Sequence, residues 1–308
     1  INIIFYELVD DSSSSSSLLV DSSSSSLDDD DSSPSFSVNS EKQVYHCFGC
    51  GASGGLVSFV MEYDQIDFRG AVENLASLAG LEIPYSTEDP STDKRRMLFD
   101  QLKTADILFR KALKTHNDKD RAVAYLKSRG LSGSVAHKFG LGFAPPGWRF
   151  LHDQIEKSTL NRTLLKESGL LITNSQGREY DRFRDRVTFP IRDIRGRTMG
   201  FGGRVLDESK PKYLNSPETL LFQKSETLYG LFEARQANRV LDRLLIVEGY
   251  LDVVILAQYD ITYAVATLGT ALTGHHLDQL NRQTSQVIIC FDGDNAGRMA
   301  ARRALDTI

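Results

Sequence analysis

Three textures of apolar and polar residues follow one another along the chain. Residues 1–33 show no sustained periodicity. From Pro34, the stretch SFSVNSEKQVYHC alternates apolar and polar positions around turn chemistry at Asn39-Ser40, which predicts a β-hairpin. Leu56, Phe59, Val60 and Tyr63, then Phe68, Val72, Leu75 and Leu78, recur at helical spacing. Gly80 and Pro84 mark the end of the second helix. Residues 86–96 (STEDPSTDKRR) are polar and proline-bearing, and predict a linker. Residues 97–140 predict helices on a stripe of Leu98, Leu102, Ile107, Leu108, Ala122, Tyr125 and Leu126. The sequence LGFAPPGW interrupts them, and 149–169 resume the helical pattern. Strands separated by turns follow at 170–174, 186–193, 198–206 and 211–216, then a helical stretch over 226–241. From there strands (244–248, 261–266, 287–291) alternate with helices (250–259, 274–284, 295–306), the signature of a βαβ sheet with right-handed crossovers. The class is α/β, mixed α+β overall, with no internal repeat.

Two of the apolar runs, LLIVEGYLD (244–252) and VIICFDGD (287–294), end abruptly in acid and glycine. Such runs suit strands buried on both faces of a parallel sheet, and sites form at the carboxyl ends of such strands. Glu248, Asp292 and Asp294 would converge there, which is costly unless a cation neutralises them. Carboxylate oxygens favour magnesium or manganese over zinc. The plainer alternative is helix capping, a stronger competitor for Asp294 than for Glu248.

Between Asp181 and Lys212, nine Arg or Lys face five acids. Arg182, Arg184 and Arg186 alternate and so would share one strand face. Gly200, Gly202 and Gly203 beside Arg204 would let a phosphate or nucleotide approach closely. Arg grips phosphate bidentately, and Lys212 and Lys224 add point charges. A solvated, salt-laced sheet face is the competing reading. The net charge of −5 conceals this basicity, because residues 1–33 carry Glu7, seven aspartates and no Lys or Arg. The remainder is therefore about +3 by formal count. Thirteen serines and this acid run make disorder the expectation for 1–33.

Cys47 and Cys50 have zinc-knuckle spacing, but a structural zinc needs four ligands and only two good ones are visible. His46 would point the other way on an extended strand, and Cys290 lies in a predicted buried strand. A reduced surface turn is the alternative. Three cysteines argue against a disulfide framework and for a cytoplasmic compartment. No apolar run approaches the ~18 residues of a membrane span. His275, His276 and Trp148 read as capping or packing residues.

Over 34–308 the chain resembles the DnaG-type bacterial primases. The resemblance rests on SFSVNSEKQVYHCFGCGASG, GFAPPGW, YDRFRDRVTFPIRDIRGRTMGFGGRVL, PKYLNSPET, LIVEGYLDVV, ATLGTALT and CFDGDNAGRMAARRAL, in one order. It implies a zinc ribbon over 34–85, the linker 86–96, the N-terminal part of an RNA polymerase core over 97–240 and a Toprim domain over 241–308. It implies further that Glu248 is a metal ligand or proton shuttle and that Asp292 and Asp294 hold Mg²⁺ or Mn²⁺. Arg204, Lys212, Tyr213 and Lys224 match positions that contact nucleotide or the template–primer backbone, and Arg182 and Arg184 match the same basic groove. Zinc on Cys47 and Cys50, single-stranded DNA, NTPs, an RNA primer, a replicative helicase and single-strand-binding protein are the implied cofactors and partners.

Two departures stand out. The family has a Cys-x-x-His upstream of its Cys-x-x-Cys, where this sequence holds Leu27 among Asp and Ser. The family also has a further Asp-x-Asp motif and a helicase-binding domain beyond the position of Ile308, so the sequence reads as a fragment. A Toprim nuclease or topoisomerase is the first competing class; no catalytic-tyrosine domain is recognisable. A non-catalytic single-stranded-DNA-binding module is the second.

Overall fold

The structure is a computed structural model that describes residues 36–39, 42–49, 51–63, 68–81, 90–155 and 159–307. The predicted tail 1–33 lies outside the described residues, as do Cys50 and Ile308. The described residues divide into two compact units, one within 36–81 and one within 90–307.

In the smaller unit, β1 (Phe36–Asn39), β2 (Val44–Cys47) and β3 (Ser53–Gly55) form an antiparallel sheet with β2 central. Helices α1 (Leu56–Tyr63) and α2 (Phe68–Ala79) follow. Tyr45 is the anchor: its ring lies 5.7 Å from Phe36 and 5.2 Å from Phe59, and its hydroxyl donates to Glu62 at 2.6 Å. Gly80 ends α2 with φ of 65°, as its position at the helix stop requires.

The larger unit opens on α3 (Pro90–Thr115), which corrects the predicted linker: the polar stretch is helical from Pro90 onward. Proline is pre-set for a first helical position, and Asp93 in the first turn suits the helix dipole. Helices α4 (Lys119–Ser128) and α5 (Gly133–Lys138), strand β4 (Gly142–Ala144) and helices α6 (Phe150–Gln154) and α7 (Thr159–Glu167) come next. Strands β5 (Leu171–Thr173) and β6 (Glu179–Asp181) form a hairpin. Then β7 (Arg186–Arg192), β8 (Thr198–Val205) and β9 (Tyr213–Asn215) join β4 in an antiparallel sheet ordered β4-β7-β8-β9. A 3₁₀ turn (Lys224–Glu226) and α8 (Leu231–Ala237) lead to β10 (Leu244–Val247), α9 (Tyr250–Gln258), β11 (Ala264–Ala266), α10 (Gly274–Asn281), β12 (Val287–Ile289) and α11 (Asn295–Thr307). The last three strands form the predicted parallel sheet, ordered β11-β10-β12, with Leu245 opposite both Ala264 and Ile288.

One shared core fixes the two sheets of this unit together. Phe189 of β7 and Tyr229 pack with Val247, Tyr250, Val253 and Val254, all nearly inaccessible to solvent. Burying side chains of this size contributes about 1.5–3 kcal/mol each. Tyr250 ring-stacks on Phe189 at 5.6 Å, so the turn after Glu248 is held against the antiparallel sheet.

Candidate active site

Strand β10 ends at Val247 and delivers Glu248 to the carboxyl edge of the parallel sheet, beside the segment that leaves β12. Glu248 Oε1 accepts a hydrogen bond from the backbone N–H of Asp292 at 3.0 Å. The two predicted motifs, 44 residues apart, therefore meet through a direct bond. Asp252, one turn into α9, accepts from the Gly249 N–H at 3.1 Å. Burial pushes the Asp252 carboxyl up, and the charges of Asp292 and Glu248 push it the same way. Negative charge is thus concentrated here, and the Arg298 guanidinium lies against the adjoining segment, donating to the Gly293 carbonyl and to Asn295 Oδ1.

Asp294 is placed differently. Its Oδ1 accepts from the Gly297 N–H at 2.8 Å, so it caps α11, the role that competed with metal binding in the sequence. Its other oxygen stays outside that bond. Among the described residues, no group of three or more His, Cys, Asp or Glu side chains is gathered for a metal ion. The donor chemistry nonetheless fits a hard divalent cation, because magnesium is commonly held by one or two carboxylates plus substrate phosphates.

Gly297 was not singled out in the sequence, although a glycine in the first turn of a predicted helix is a visible signal. A Cβ there would lie 2.1 Å from the Asp292 carbonyl oxygen and 2.8 Å from Glu248 Oε1. Helix propensity alone favours Gly→Ala by about 1 kcal/mol. Gly297→Ala is instead expected to destabilise by about 1–3 kcal/mol through overpacking. Thermal denaturation checks this; an unchanged or raised Tm would contradict the close packing of α11 on the acid pair.

The basic set does not line one strand face. β6 stops at Asp181 and β7 starts at Arg186, with Asp185 between them in the left-handed region (φ 49°), so the alternation of Arg182, Arg184 and Arg186 is broken. Arg182 Nε donates to the Asn215 carbonyl at 3.0 Å. Arg184 stacks over exposed Trp148 at 4.4 Å and over Tyr180 at 4.8 Å, and donates to the Asp181 carbonyl. Arg186 is buried and donates to the carbonyls of Gly203 and Lys212 at 3.5 and 3.4 Å.

The glycines also differ from expectation. A Cβ on Gly202 would meet the Tyr250 ring at 2.6 Å, one on Gly203 the Phe183 ring at 2.8 Å, and one on Gly200 the Ser216 side chain at 3.1 Å. They make room for the protein's own side chains, because β8 is central in its sheet and buried along nearly its whole length.

Arg204 fares better as a ligand candidate. It is 5% exposed, donates Nη1 to the Val205 carbonyl at 3.0 Å, and leaves its buried Nε without a partner. Its guanidinium lies 5.1 Å from the ring of Tyr213, the residue it faces across β8 and β9. Lys212 and Tyr213 are exposed next to it. Lys224 sits on the 3₁₀ turn, where His276 holds its backbone: Thr273 N–H donates to His276 Nδ1 at 3.2 Å, so Nε2–H donates to the Lys224 carbonyl at 3.0 Å. Burial lowers the His276 pKa, keeping it in this neutral form.

Asn215, also unmarked by the sequence reading, ties the basic sheet to the acidic one. Its Nδ2 donates to the Leu268 carbonyl at 2.8 Å, and its Oδ1 accepts from the Tyr250 hydroxyl. Asp181 anchors the end of the APPGW turn and the start of α6: its N–H donates to the Trp148 carbonyl at 2.8 Å, and its carboxylate accepts from the N–H groups of Leu151 (2.6 Å) and His152 (3.2 Å). Burial raises the Asp181 pKa from 3.8 to about 6 against the pull of those bonds. A carboxyl raised on folding holds its proton more tightly in the native state, so stability falls as pH rises from about 4 to 6 and then levels. The effect is worth about 3 kcal/mol at ~1.4 kcal/mol per pKa unit. Asp181→Asn is expected to remove that fall, seen as a Tm difference that grows in the variant's favour over this window; a pH-independent difference would contradict it.

In the smaller unit, Cys47 closes β2 and enters a tight turn, with Gly51 N–H donating to its carbonyl and its own N–H donating to Ala52, both at 2.8 Å. His46 is exposed and edge-on to Phe48 at 4.6 Å.

Three family profiles match in chain order: CHC2 zinc finger over residues 28–91, DNA primase catalytic core, N-terminal domain over 108–235, and Toprim-like over 245–308. A DNA primase of Pseudomonas putida (strain KT2440) is 52% identical over 280 residues, covering 89% of this chain and 42% of the relative. A solved DnaG primase catalytic domain bound to ssDNA is 50% identical with TM-score 0.67, covering 70% of this chain and 67% of that one. The zinc-binding and RNA polymerase domains of the Aquifex aeolicus primase match 90% of this chain and 66% of theirs, with 36% identity and TM-score 0.63. The parallel sheet packed on a basic antiparallel sheet is thus the Toprim-containing core of a primase. The chain belongs to the DnaG-type DNA primase family, and it spans less than half the length of curated relatives such as these.

Proposed function

We propose that this chain contains part of the active site of a DNA-directed RNA polymerase that synthesises short RNA primers on single-stranded DNA during bacterial replication. The observation that carries the reading is the bond between Glu248 and Asp292 at the sheet edge, in a unit whose other sheet presents a buried, incompletely paired Arg204. The reaction is attack of a primer 3′-hydroxyl on the α-phosphate of an NTP, with pyrophosphate leaving. Mg²⁺ or Mn²⁺ held by Glu248 and Asp292, with Asp294 contributing its uncapped oxygen, would supply charge stabilisation for the attacking and leaving oxygens. Glu248, where not bound to the ion, accepts the hydroxyl proton. Arg204, Lys212, Tyr213 and Lys224 orient the nucleotide phosphates, and a fixed orientation removes much of the entropic part of the barrier. Arg182 and Arg184 hold template phosphates, with Trp148 and Tyr180 stacked against Arg184. Zinc, for which Cys47 and Cys50 supply two of the four ligands a structural site needs, would order the smaller unit for template contact. Helicase and single-strand-binding protein are the expected partners at the replication fork in the cytoplasm.

A Toprim nuclease is the second reading, since the same acid set serves phosphodiester cleavage. Incubating the full-length protein with single-stranded DNA, NTPs and Mg²⁺ separates the two. De novo oligoribonucleotides, diminishing as salt displaces phosphate contacts, are expected. Shortened DNA without RNA product would overturn the synthesis reading.

A further inference from the structure

Helices α3, α4 and α5 enclose a groove of about 550 Å³ that shares no lining residue with the acidic or basic set described above. Its floor is aliphatic, built on Leu113, Val123, Leu126 and Leu131. Its rim is cationic: Arg110, Lys111, Lys114 and Lys127 line it, and among the described residues no carboxylate does. Arg110 is committed to Asp106 at 3.2 Å. Among the described residues, Lys111, Lys114 and Lys127 have no acidic partner and are exposed. Ile107 belongs to the same face of α3; the sequence pattern assigns it to the core stripe, yet it is 49% exposed and lines the groove.

These features restrict the occupant. Unpaired cations around an apolar floor complement a ligand that is both apolar and acidic. From Ile107 to Thr115 the groove follows α3 for about 12 Å at 1.5 Å per residue, the length of two helical turns. The half-exposed Ile107 shows an open-sided trough, whereas small-molecule sites bury roughly 70–90% of their ligand. The lining holds no Phe, Tyr or Trp and a single ring, His137, whereas a single-stranded nucleic acid site offers a series of aromatic faces on which successive bases stack. Helix-in-groove recognition matches all of this. We propose that the α3–α5 groove docks an acidic amphipathic helix of a partner protein, its apolar face on Val123, Leu126 and Leu131 and its carboxylates on Lys111, Lys114 and Lys127.

The test uses the 308-residue chain and two fluorescent synthetic peptides with leucines at helical i, i+3, i+4 and i+7 spacing, one filled with glutamate and one with lysine. The glutamate peptide is expected to bind and to weaken with salt, and the lysine peptide to show no binding. Lys111→Glu with Lys114→Glu is expected to weaken the glutamate peptide at least ~tenfold, which is about 1.4 kcal/mol. Ile107→Gln should weaken it several-fold while leaving circular dichroism unchanged, since all three positions are exposed. Equal affinity for both peptides, or an unaltered affinity in the double variant, would overturn the proposal. So would failure of the glutamate peptide where oligothymidylate or dodecanoate binds in a Lys111- and Lys114-dependent manner, which would assign the groove to nucleic acid or to a small anionic amphiphile.

Discussion

Glu233→Ala is expected to lower the free energy of unfolding by about 3–5 kcal/mol, the cost of stranding a buried charge. Glu233 of α8 and Arg192 at the end of β7 pair at 2.6 Å, with side chains only 5% and 11% exposed. The same guanidinium reaches the Lys138 carbonyl at 3.4 Å and lies 5.7 Å from the Phe232 ring. Gly140 belongs to this arrangement, since a Cβ there would meet Arg192 Nη2 at 2.2 Å. The pair therefore joins β7 to α8 and to the end of α5. Replacing both partners, as Arg192→Met with Glu233→Leu, is expected to cost less than Glu233→Ala alone, because no charge is left buried. Urea denaturation of the three proteins checks the order. A single variant within about 0.5 kcal/mol of wild type, the range of ordinary surface substitutions, would show that the pair is not buried in solution.

Arg192 and Glu233 illustrate what the sequence conceals: they lie 41 residues apart, and nothing local marks them as partners. The parallel sheet was legible because its strands are apolar runs alternating with helical periods, and that local signal reports burial on both faces. The acid tips were legible for the same reason. Which acid does what was not, because capping by Asp294 and bonding by Glu248 depend on where α11 begins relative to β10. The alternation of Arg182, Arg184 and Arg186 misled because period-two reasoning assumes an unbroken strand, and the left-handed Asp185 breaks it. Gly200, Gly202 and Gly203 misled in another way. A missing side chain makes space for whatever packs closest, and here that is Ser216, Tyr250 and Phe183. Polar composition suggested a linker over 86–96, but a solvated helix has the same composition, and α3 starts at Pro90. Asn215 acts through long-range bonds to Leu268 and Tyr250, and His276 through one to Lys224, which no spacing rule anticipates.

The second large effect concerns Glu248. Its carboxylate is partly exposed, directly follows β10, and meets the Asp292 backbone N–H at 3.0 Å. Glutamine retains an oxygen able to accept that N–H, so Glu248→Gln keeps the local bond while removing the charge and the proton-accepting capacity. The fold should be preserved, and the loss should fall on chemistry rather than on template binding, which the proposed function assigns to Arg182 and Arg184. General acid–base contributions run at about 10²–10⁴-fold, and loss of a metal-holding charge adds to that. The decisive measurement is the initial rate of oligoribonucleotide synthesis on single-stranded DNA with NTPs and Mg²⁺, comparing full-length wild type with Glu248→Gln, alongside template affinity for both. A rate reduced by at least about 10²-fold with template affinity unchanged is predicted. Equal synthesis rates would contradict the assignment of the acid pair at the sheet edge as the reacting centre.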